Sequence, residues 1–237
     1  IGFCLVGSEM CIRDRLFSMS PKKQAAEYAF ESVKNLLDKN FVLGIGTGST
    51  TNYFIELLKE KKPEMKCFVS SSVASTELLK DAGYLEAELN DVGGPDLYID
   101  GADEVNSKLE LIKGGGGALT REKIIATASK TFICIIDKSK IVDRFGKFPV
   151  AIEVIPMARS FVSRQVVAMG GRPTYRVGFI TDNGNQIIDV SNLNFDVPYE
   201  TESRINRIPG VVENGIFAAR KADKIIVADG QKVSELK

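Results

Sequence analysis

Short apolar segments and helix-like segments alternate along most of this chain, and that alternation restricts the fold more than any other feature of the sequence. Apolar runs such as FVLGIG and FICIID are bounded by glycine or charged residues, as buried strands are. Between the runs, apolar residues recur at helical spacing, as in 22–38 and in TTNYFIELLKEK. Strands interleaved with helices predict a mostly parallel, doubly wound sheet of the α/β class, in which ligands bind beyond the carboxyl ends of the strands.

The pattern changes after Phe148. A strand, a helix, a pair of strands around the turn DNGN, a second helix and a further strand follow one another, VVENGIFAA being the last. That order is the split βαββαβ pattern of a ferredoxin-like α+β unit. The closing run DKIIVADG predicts one more strand, which returns to the first sheet. We therefore predict a doubly wound domain over 20–147 plus 220–237, interrupted by a smaller ferredoxin-like domain over 148–219.

The first nineteen residues differ from the rest because they show no clear hydrophobic period. We interpret residues 1–19 as a non-native extension and leave them out of the fold argument. They also lack a basic leader followed by an apolar stretch and a small-residue cleavage site. The longest apolar runs are far shorter than the roughly 20 residues that span a bilayer. We expect neither export nor a membrane partner.

Charge and cysteine usage argue against several classes of function. Lys plus Arg number 31 and Asp plus Glu number 31, so no net positive field favours nucleic acid, and any phosphate recognition must be local. The four cysteines form no CxxC pair and the chain has no histidine, so the usual zinc ligand sets are missing. We expect no metal and a reducing, cytoplasmic location. Without histidine, acid–base chemistry depends on carboxylates, lysines, tyrosines or thiols.

A lysine, four consecutive glycines and a glutamate stand together in LIKGGGGALTREK. Lys113 precedes the glycines 114–117, so a positive charge lies beside backbone that can approach a ligand closely and direct N–H groups at it. Thr120 is the expected N-cap of the next helix, which puts Glu122 in its first turn. A carboxylate there either complements the helix dipole or acts as a base on the ligand that the glycines bind. The lysine on one side and the glutamate on the other favour the functional interpretation.

The motif GIGTGST, at 44–50, stands between a strand and a helix. Its glycines permit close backbone approach, and its hydroxyls lie at a helix N-terminus suited to a phosphate. It is neither a dinucleotide-binding GxGxxG motif nor a P-loop, which would need GK[ST]. A phosphate site and a glycine-rich turn with ordinary caps are equally compatible with it. For SSSVAST, at 70–76, helix capping is the preferred interpretation.

A third cluster is acidic. In DLYIDGADEV a strand ends at Asp100, and Asp103 and Glu104 follow. Ligands bind at this edge of the sheet, and clustered carboxylates repel one another unless they bind hydroxyls or a cation. Hydrogen bonds from sugar hydroxyls explain the cluster without a metal. Lys140 follows another strand and can reach the same edge, although by itself it would be a surface lysine.

Five motifs, taken in order and spacing, closely resemble those of the A-type ribose-5-phosphate isomerase family from about Pro21 to near the C-terminus. They are GIGTGST, SSSVAST, DGADE, KGGGGALTREK, and FPVAIEVIPMARS with GGRPTYR. The resemblance implies a Rossmann-like domain with a smaller ferredoxin-like domain. It further implies an enzyme of the pentose phosphate pathway, a homodimer or homotetramer, that interconverts D-ribose 5-phosphate and D-ribulose 5-phosphate. A metal-assisted hydride shift usually needs carboxylate and histidine ligands, and the chain has no histidine, so we expect a cofactor-free proton transfer through an enediolate instead. Gly117 stands where the family often has alanine.

The resemblance also implies roles for individual residues. Glu122 is the expected proton acceptor, and Lys113 is expected at the developing oxyanion. Either Asp100 or Asp103 assists opening of the furanose ring, and the sequence leaves that choice open. The residues expected to bind substrate are Thr47, Gly48, Ser49, Thr50, Asp100, Gly101, Ala102, Asp103, Lys113, Gly114, Gly115, Gly116 and Lys140.

Other functions stay open at this point. A sugar-phosphate sensor of similar fold that regulates transcription would need a DNA-reading module, and it has no need of the Glu122 and Lys113 pair. An amino-sugar phosphate deaminase and a coenzyme A transferase on a related scaffold are rival enzymes. The missing histidine weakens the deaminase, whose chemistry commonly uses one.

Overall fold

A computed structural model describes residues 20–237, so the interpretation of 1–19 as a non-native extension lies outside the described residues. The helices are α1 Pro21–Val33, α2 Ser49–Lys61, α3 Val73–Asp81, α4 Leu119–Ala128, α5 Arg159–Ala168 and α6 Pro198–Asn206. The strands are β1 Val42–Ile45, β2 Cys67–Ser70, β3 Leu97–Asp100, β4 Glu104–Val105, β5 Leu111–Ile112, β6 Thr131–Asp137, β7 Val150–Val154, β8 Arg172–Tyr175, β9 Gln186–Ser191, β10 Val211–Asn214, β11 Ile216–Phe217, β12 Lys224–Ala228 and β13 Val233–Leu236.

The larger sheet has six strands in the order β13-β12-β6-β3-β1-β2, and every neighbouring pair is parallel except β12 with β13. Its strands send alternate side chains to opposite faces, as a pleated strand must. Along β1, Leu43 and Ile45 pack with α1 and α2, whereas Val42 packs on the side of α4. The prediction of a mostly parallel, doubly wound α/β sheet is confirmed.

The smaller sheet is antiparallel throughout, in the order β10-β7-β9-β8. Numbered within this unit, the order is 4-1-3-2, that of a ferredoxin-like sheet, and α5 and α6 pack against it through Val162, Val166 and Ile205. The ferredoxin-like prediction is confirmed. The predicted strand PTYRVGFIT is shorter than expected, because β8 ends at Tyr175 and the chain turns before it reaches DNGN.

The predicted strand VVENGIFAA is divided between two sheets. Its first part, β10, joins the smaller sheet, whereas β11 pairs with β5 in a three-stranded antiparallel sheet of order β11-β5-β4. Gly215, between the two parts, donates to the carbonyl of Ala151 and accepts from the N–H of Lys113, both at 2.8 Å. The closing strand β12 returns to the larger sheet, as predicted, and pairs there with β6. The domain boundaries around 148–219 remain our proposal.

A buried ion cluster joins α4 to α6 and β10. The ammonium of Lys123 lies 2.8 Å from a carboxylate oxygen of Glu202 and 3.0 Å from one of Glu213. The other oxygen of Glu202 accepts two backbone N–H groups just after β11. Because α4 also carries Glu122, this cluster helps to hold the helix of the expected base in place.

Replacing Lys123 with methionine is expected to lower the free energy of unfolding by about 3–5 kcal/mol, since two carboxylates would lose a buried partner. Urea denaturation followed by circular dichroism measures the change. Lys130→Met is the matched control, because the Lys130 side chain is 73% exposed and, among residues 20–237, forms an ion pair with Asp96 alone. Its expected loss is at most about 1 kcal/mol. Equal losses in the two variants would contradict the structural role of the cluster.

Candidate functional site

The carboxyl ends of β1, β2, β3 and β6 meet at one edge of the larger sheet, because these strands are parallel neighbours. Loops from this edge and the glycine loop after β5 surround a cavity of about 120 Å³. Its lining consists of Lys22, Thr47, Gly48, Ser49, Thr50, Thr51, Gly101, Ala102, Asp103, Lys113, Gly114, Gly115, Gly116, Glu122 and Lys140. All residues expected to bind substrate therefore line one cavity, with the exception of Asp100.

Asp100 is fully buried and lies outside the cavity lining. One of its oxygens accepts the N–H groups of Thr47, at 3.2 Å, and Gly101, at 2.7 Å. The other accepts the Tyr98 hydroxyl at 2.5 Å and lies 2.7 Å from the ammonium of Lys113. Burial, with the nearby carboxylate, holds the pKa of Tyr98 well above its usual value, so the hydroxyl stays a donor. Asp100 was expected in the cavity wall. It lies outside the wall instead, and four protein donors surround its carboxylate.

Lys113 and Glu122 lie beside each other in the cavity, with their charged atoms 3.2 Å apart. The Lys113 ammonium also donates to the carbonyl of Gly101 at 2.6 Å. The glutamate oxygen nearest to it, Oε2, has no hydrogen-bond partner within residues 20–237, so the two groups form an ion pair without hydrogen-bond geometry. Glu122 therefore lines the cavity with a carboxylate that has a buried oxygen beside the ammonium and without a hydrogen bond from it.

The surroundings of Glu122 and Lys113 raise the pKa values of both groups. The pKa of Glu122 is raised to about 8: burial is the largest cause, the charge of Asp100 adds to it, and Lys113 opposes it. For Lys113, burial lowers the pKa, but the attraction of Asp100 and Glu122 outweighs it and the net pKa is above the usual value. The result is a charged lysine beside a carboxylate that is basic enough to accept a proton near neutral pH.

The helix that carries Glu122 begins two residues earlier than predicted. Leu119 is its first residue and Ala118 its N-cap, so the prediction that Thr120 caps this helix was wrong. The Thr120 hydroxyl instead donates to Glu153, a fully buried carboxylate that also accepts from the turn 181–185. Glu153 belongs to the smaller sheet, and its need for donors cannot be read from the local sequence around Thr120.

The N-terminus of α2 also lines the cavity. Gly48 is its N-cap, and no side chain within 20–237 caps its first turn, so the N–H groups there are available to an anion. Lys22, from α1, lines the cavity and donates to the Ser49 hydroxyl at 2.9 Å. Thr51 also lines the cavity, and its buried hydroxyl has no partner in the described part of the chain. The site thus offers N–H groups, hydroxyls and an ammonium to one anion.

The sequence contains no indication that Lys22 belongs to the site. No motif surrounds it, and nothing in α1 distinguishes it from a surface lysine. Only the packing of α1 beside α2 brings it to the cavity.

The serines of SSSVAST cap a helix, as predicted, and also support the GIGTGST turn. Ser72 is the N-cap of α3 and accepts the N–H of Ser75 at 3.2 Å. The hydroxyls of Ser71 and Thr47 lie 2.9 Å apart, and the Ser75 hydroxyl donates to the carbonyl of Gly46 at 2.8 Å. These contacts of Ser71 and Ser75 hold the GIGTGST turn in position.

Asp103 and Lys140 complete the wall of the cavity. Asp103 accepts the N–H of Gly115 at 2.8 Å, which ties the acidic turn to the glycine loop. Lys140 reaches the cavity from the short 3₁₀ turn after β6. Within residues 20–237, no three His, Cys, Asp or Glu side chains are grouped as metal ligands would be. The expectation of a reaction without a cofactor stays a prediction.

Sequence comparison identifies the family. Residues 67–232 match the family model for ribose 5-phosphate isomerase A (phosphoriboisomerase A). The chain belongs to the ribose 5-phosphate isomerase A family. A ribose-5-phosphate isomerase A of Legionella pneumophila (strain Lens) is 57% identical over 201 residues, which cover 85% of this chain and 93% of that protein.

Solved structures of the family are also similar to this chain. A ribose 5 phosphate isomerase A from Neisseria gonorrhoeae has 47% identity and a TM-score of 0.86, over 94% of this chain and 96% of that one. A D-ribose-5-phosphate isomerase in complex with phospho-erythronic acid has 42% identity and a TM-score of 0.84, over 91% and 97% of the two chains. These matches confirm the predicted family and fold, and decide against the sensor, deaminase and transferase alternatives.

Gly117 ends the glycine loop at a position that depends on Phe179. Its φ is 81°, which side-chain-bearing residues rarely adopt, and a Cβ built there would lie 2.2 Å from one ring carbon of Phe179 and 2.5 Å from another. An alanine at position 117 therefore does not fit this chain while the phenylalanine stays in place.

Gly117→Ala is expected to lower the free energy of unfolding by about 2–4 kcal/mol, from backbone strain together with the clash. Gly178→Ala is the control: Gly178 also has a positive φ, 75°, but a Cβ there would meet nothing within 4 Å. The control should lose only about 1–2 kcal/mol. Adding Phe179→Val should recover the difference in a double-mutant cycle of urea denaturation midpoints. Equal losses for the two alanine variants would rule out the pairing.

Proposed function

We propose that this chain interconverts D-ribose 5-phosphate and D-ribulose 5-phosphate by proton transfer through an enediolate. The observation that supports this most is the buried carboxylate of Glu122, with one oxygen free of hydrogen bonds, 3.2 Å from the ammonium of Lys113 in a single cavity. An enediolate mechanism needs these two groups, a base close to the carbon and a positive charge close to the developing oxyanion.

The phosphate of the sugar is proposed to bind at the N-terminus of α2. Ser49 and Thr50 offer N–H groups and hydroxyls there, and the helix dipole favours an anion. Lys22 adds a positive charge beside Ser49. With the phosphate at this end, the carbons that react extend toward Lys113 and Glu122, which line the same cavity.

In the direction from ribose, Glu122 takes the proton from C2, and the C2–H electrons form the C1–C2 double bond of the enediolate. The electrons of the C1 carbonyl move to O1, where Lys113 and the N–H groups of the glycine loop stabilise the negative charge. Glu122 then returns the proton to C1, where the electrons of the C1–C2 double bond form the new C1–H bond. The hydroxyl proton of O2 passes to O1, so that O2 becomes the ketone oxygen and O1 becomes a hydroxyl group. The reaction has no net consumption of protons or electrons.

Asp103 is the better of the two candidates for assisting ring opening. It lines the cavity, whereas Asp100 lies outside the lining and is surrounded by protein donors. A group that exchanges a proton with a sugar hydroxyl must reach that hydroxyl. We therefore propose that Asp100 acts indirectly, by holding Lys113 and the backbone of Thr47 and Gly101 in position.

The family also supports finer proposals about where and how the enzyme works. We propose a cytoplasmic location, a homodimer or homotetramer, and a contact between Lys140 and substrate. No helix in the part of the chain that the structure describes is long and apolar enough to cross a membrane.

Glu122→Gln is expected to lower kcat for ribose 5-phosphate by about 10²- to 10⁴-fold with little change in KM, because the amide cannot accept the C2 proton. Formation of ribulose 5-phosphate, measured with and without a chelator, gives the rate. Glu56→Gln, an exposed substitution on α2, should leave kcat unchanged. In D₂O the wild type should place deuterium on C1 of ribulose 5-phosphate. Near-wild-type turnover of Glu122→Gln would remove this residue from its role.

The rate should depend on pH through Glu122. The base works only when it is ionised, and its pKa in the free protein is raised to about 8, so kcat/KM should fall about tenfold per pH unit below that value. Above it kcat/KM should be level, since the pKa of Lys113 is raised and its ammonium persists. The substrate phosphate ionises near pH 6, at a different point. A profile measured from pH 6 to 9.5 that is flat between 6.5 and 8 would contradict this assignment.

A further inference from the structure

Arg176 is a partly buried cation that contacts the glycine loop without lining the cavity. It follows β8 in the smaller sheet, and its side chain is 19% exposed. The reaction steps described above do not use it. Its position is therefore unexplained by substrate binding, and its contacts indicate a different role.

The guanidinium of Arg176 donates to two consecutive carbonyls of the glycine loop. Its Nη1 and Nη2 lie 3.1 and 3.2 Å from the carbonyl oxygen of Gly114, and Nη1 lies 3.3 Å from that of Gly115. The N–H of Gly115 meanwhile donates to Asp103 at 2.8 Å. The peptide groups of the loop are thus held from both sides, with their carbonyls directed at a cation that is not part of the cavity wall.

Two further residues fix the guanidinium itself. Asp189, on the neighbouring strand β9, accepts from Nε at 2.9 Å and from Nη2 at 2.5 Å in a bidentate pair. The ring of Phe179 lies 5.3 Å from the guanidinium carbon and also occupies the space beside Gly117. Bidentate pairing and an aromatic face leave the guanidinium few alternative positions.

Carbonyl direction matters because the substrate is anionic. Glycine peptides rotate easily, and rotation of one of these peptide groups would turn a carbonyl oxygen, the negative end of its dipole, toward the sugar phosphate. The developing charge of an enediolate would then face an acceptor instead of an N–H donor. A cation that holds two carbonyls outside the cavity prevents this.

We propose that Arg176 is a positioning residue for the isomerase reaction: it holds the Gly114 and Gly115 carbonyls away from the cavity, so that the peptide between Gly115 and Gly116 directs its N–H group at the enediolate, while the Gly115 N–H stays on Asp103. The proposal rests on the enediolate mechanism given above. It assigns to the smaller sheet an indirect part in catalysis, through a loop that belongs to the larger unit.

The test compares Arg176→Met and Arg176→Lys with the wild type. Arg176→Met should lower kcat by about 10- to 100-fold with KM within about twofold, because the loop is misplaced only with respect to the transition state. Arg176→Lys should be intermediate, since one ammonium cannot form the same bidentate contacts. Arg172→Met, an exposed substitution in the same region of the smaller sheet, is the matched control and should match the wild type.

A second measurement separates positioning from mere stability. Phospho-erythronic acid carries a carboxylate charge close to where the enediolate would be charged, so its inhibition constant should rise in Arg176→Met by about the factor by which kcat/KM falls. All rates are measured well below the unfolding temperature of each variant.

Several outcomes would overturn the proposal. One is a kcat for folded Arg176→Met within about twofold of the wild type, and another is an unchanged inhibition constant beside a lowered kcat. If Arg176→Met does not fold, Arg176→Lys decides, and a wild-type kcat in that variant overturns the proposal. An inactive wild type would instead refute the proposed function, so the two failures are distinguishable.

Discussion

The buried ammonium of Lys113 is the group on which the site depends. It is 3% exposed and lies 2.7 Å from Asp100 and 3.2 Å from Glu122. Two carboxylates around one ammonium leave an excess of negative charge in a region with little water, which is costly. Donors from Thr47, Gly101 and Tyr98 stabilise Asp100, and the remaining cost appears as the raised pKa of Glu122. The raised pKa of Glu122 is therefore a consequence of its burial and of the second carboxylate nearby.

All three sheets contribute contacts that position Lys113 and the glycine loop beside it. The larger sheet brings the loops after β1, β3 and β6 to one edge, because those strands are parallel neighbours. The three-stranded sheet holds Lys113 at the end of β5, where its N–H donates to the carbonyl of Gly215. The smaller sheet contacts the other side of the glycine loop through Arg176 and Phe179. A loop with so little steric restriction of its own needs contacts on several sides to keep one conformation.

Two local predictions were wrong or incomplete for the same physical reason. Thr120 was expected to cap a helix, and its hydroxyl instead satisfies the buried Glu153. Asp100 was expected in the cavity wall, and it lies outside the lining among protein donors. In both cases a buried carboxylate needs hydrogen-bond partners, and which partners it finds depends on how the sheets pack. No pattern within a short window of sequence contains that information.

The sequence by itself determined the α/β class, the ferredoxin-like unit, the family and nearly every residue of the cavity, because hydrophobic period and motif order are properties of short segments. Only the tertiary structure decided which side chains meet. Lys22 reaches Ser49 across 27 positions of sequence, and Arg176 reaches Gly114 across 62. Such contacts form when separate elements pack together, and so do the burial and charge that set the pKa of Glu122.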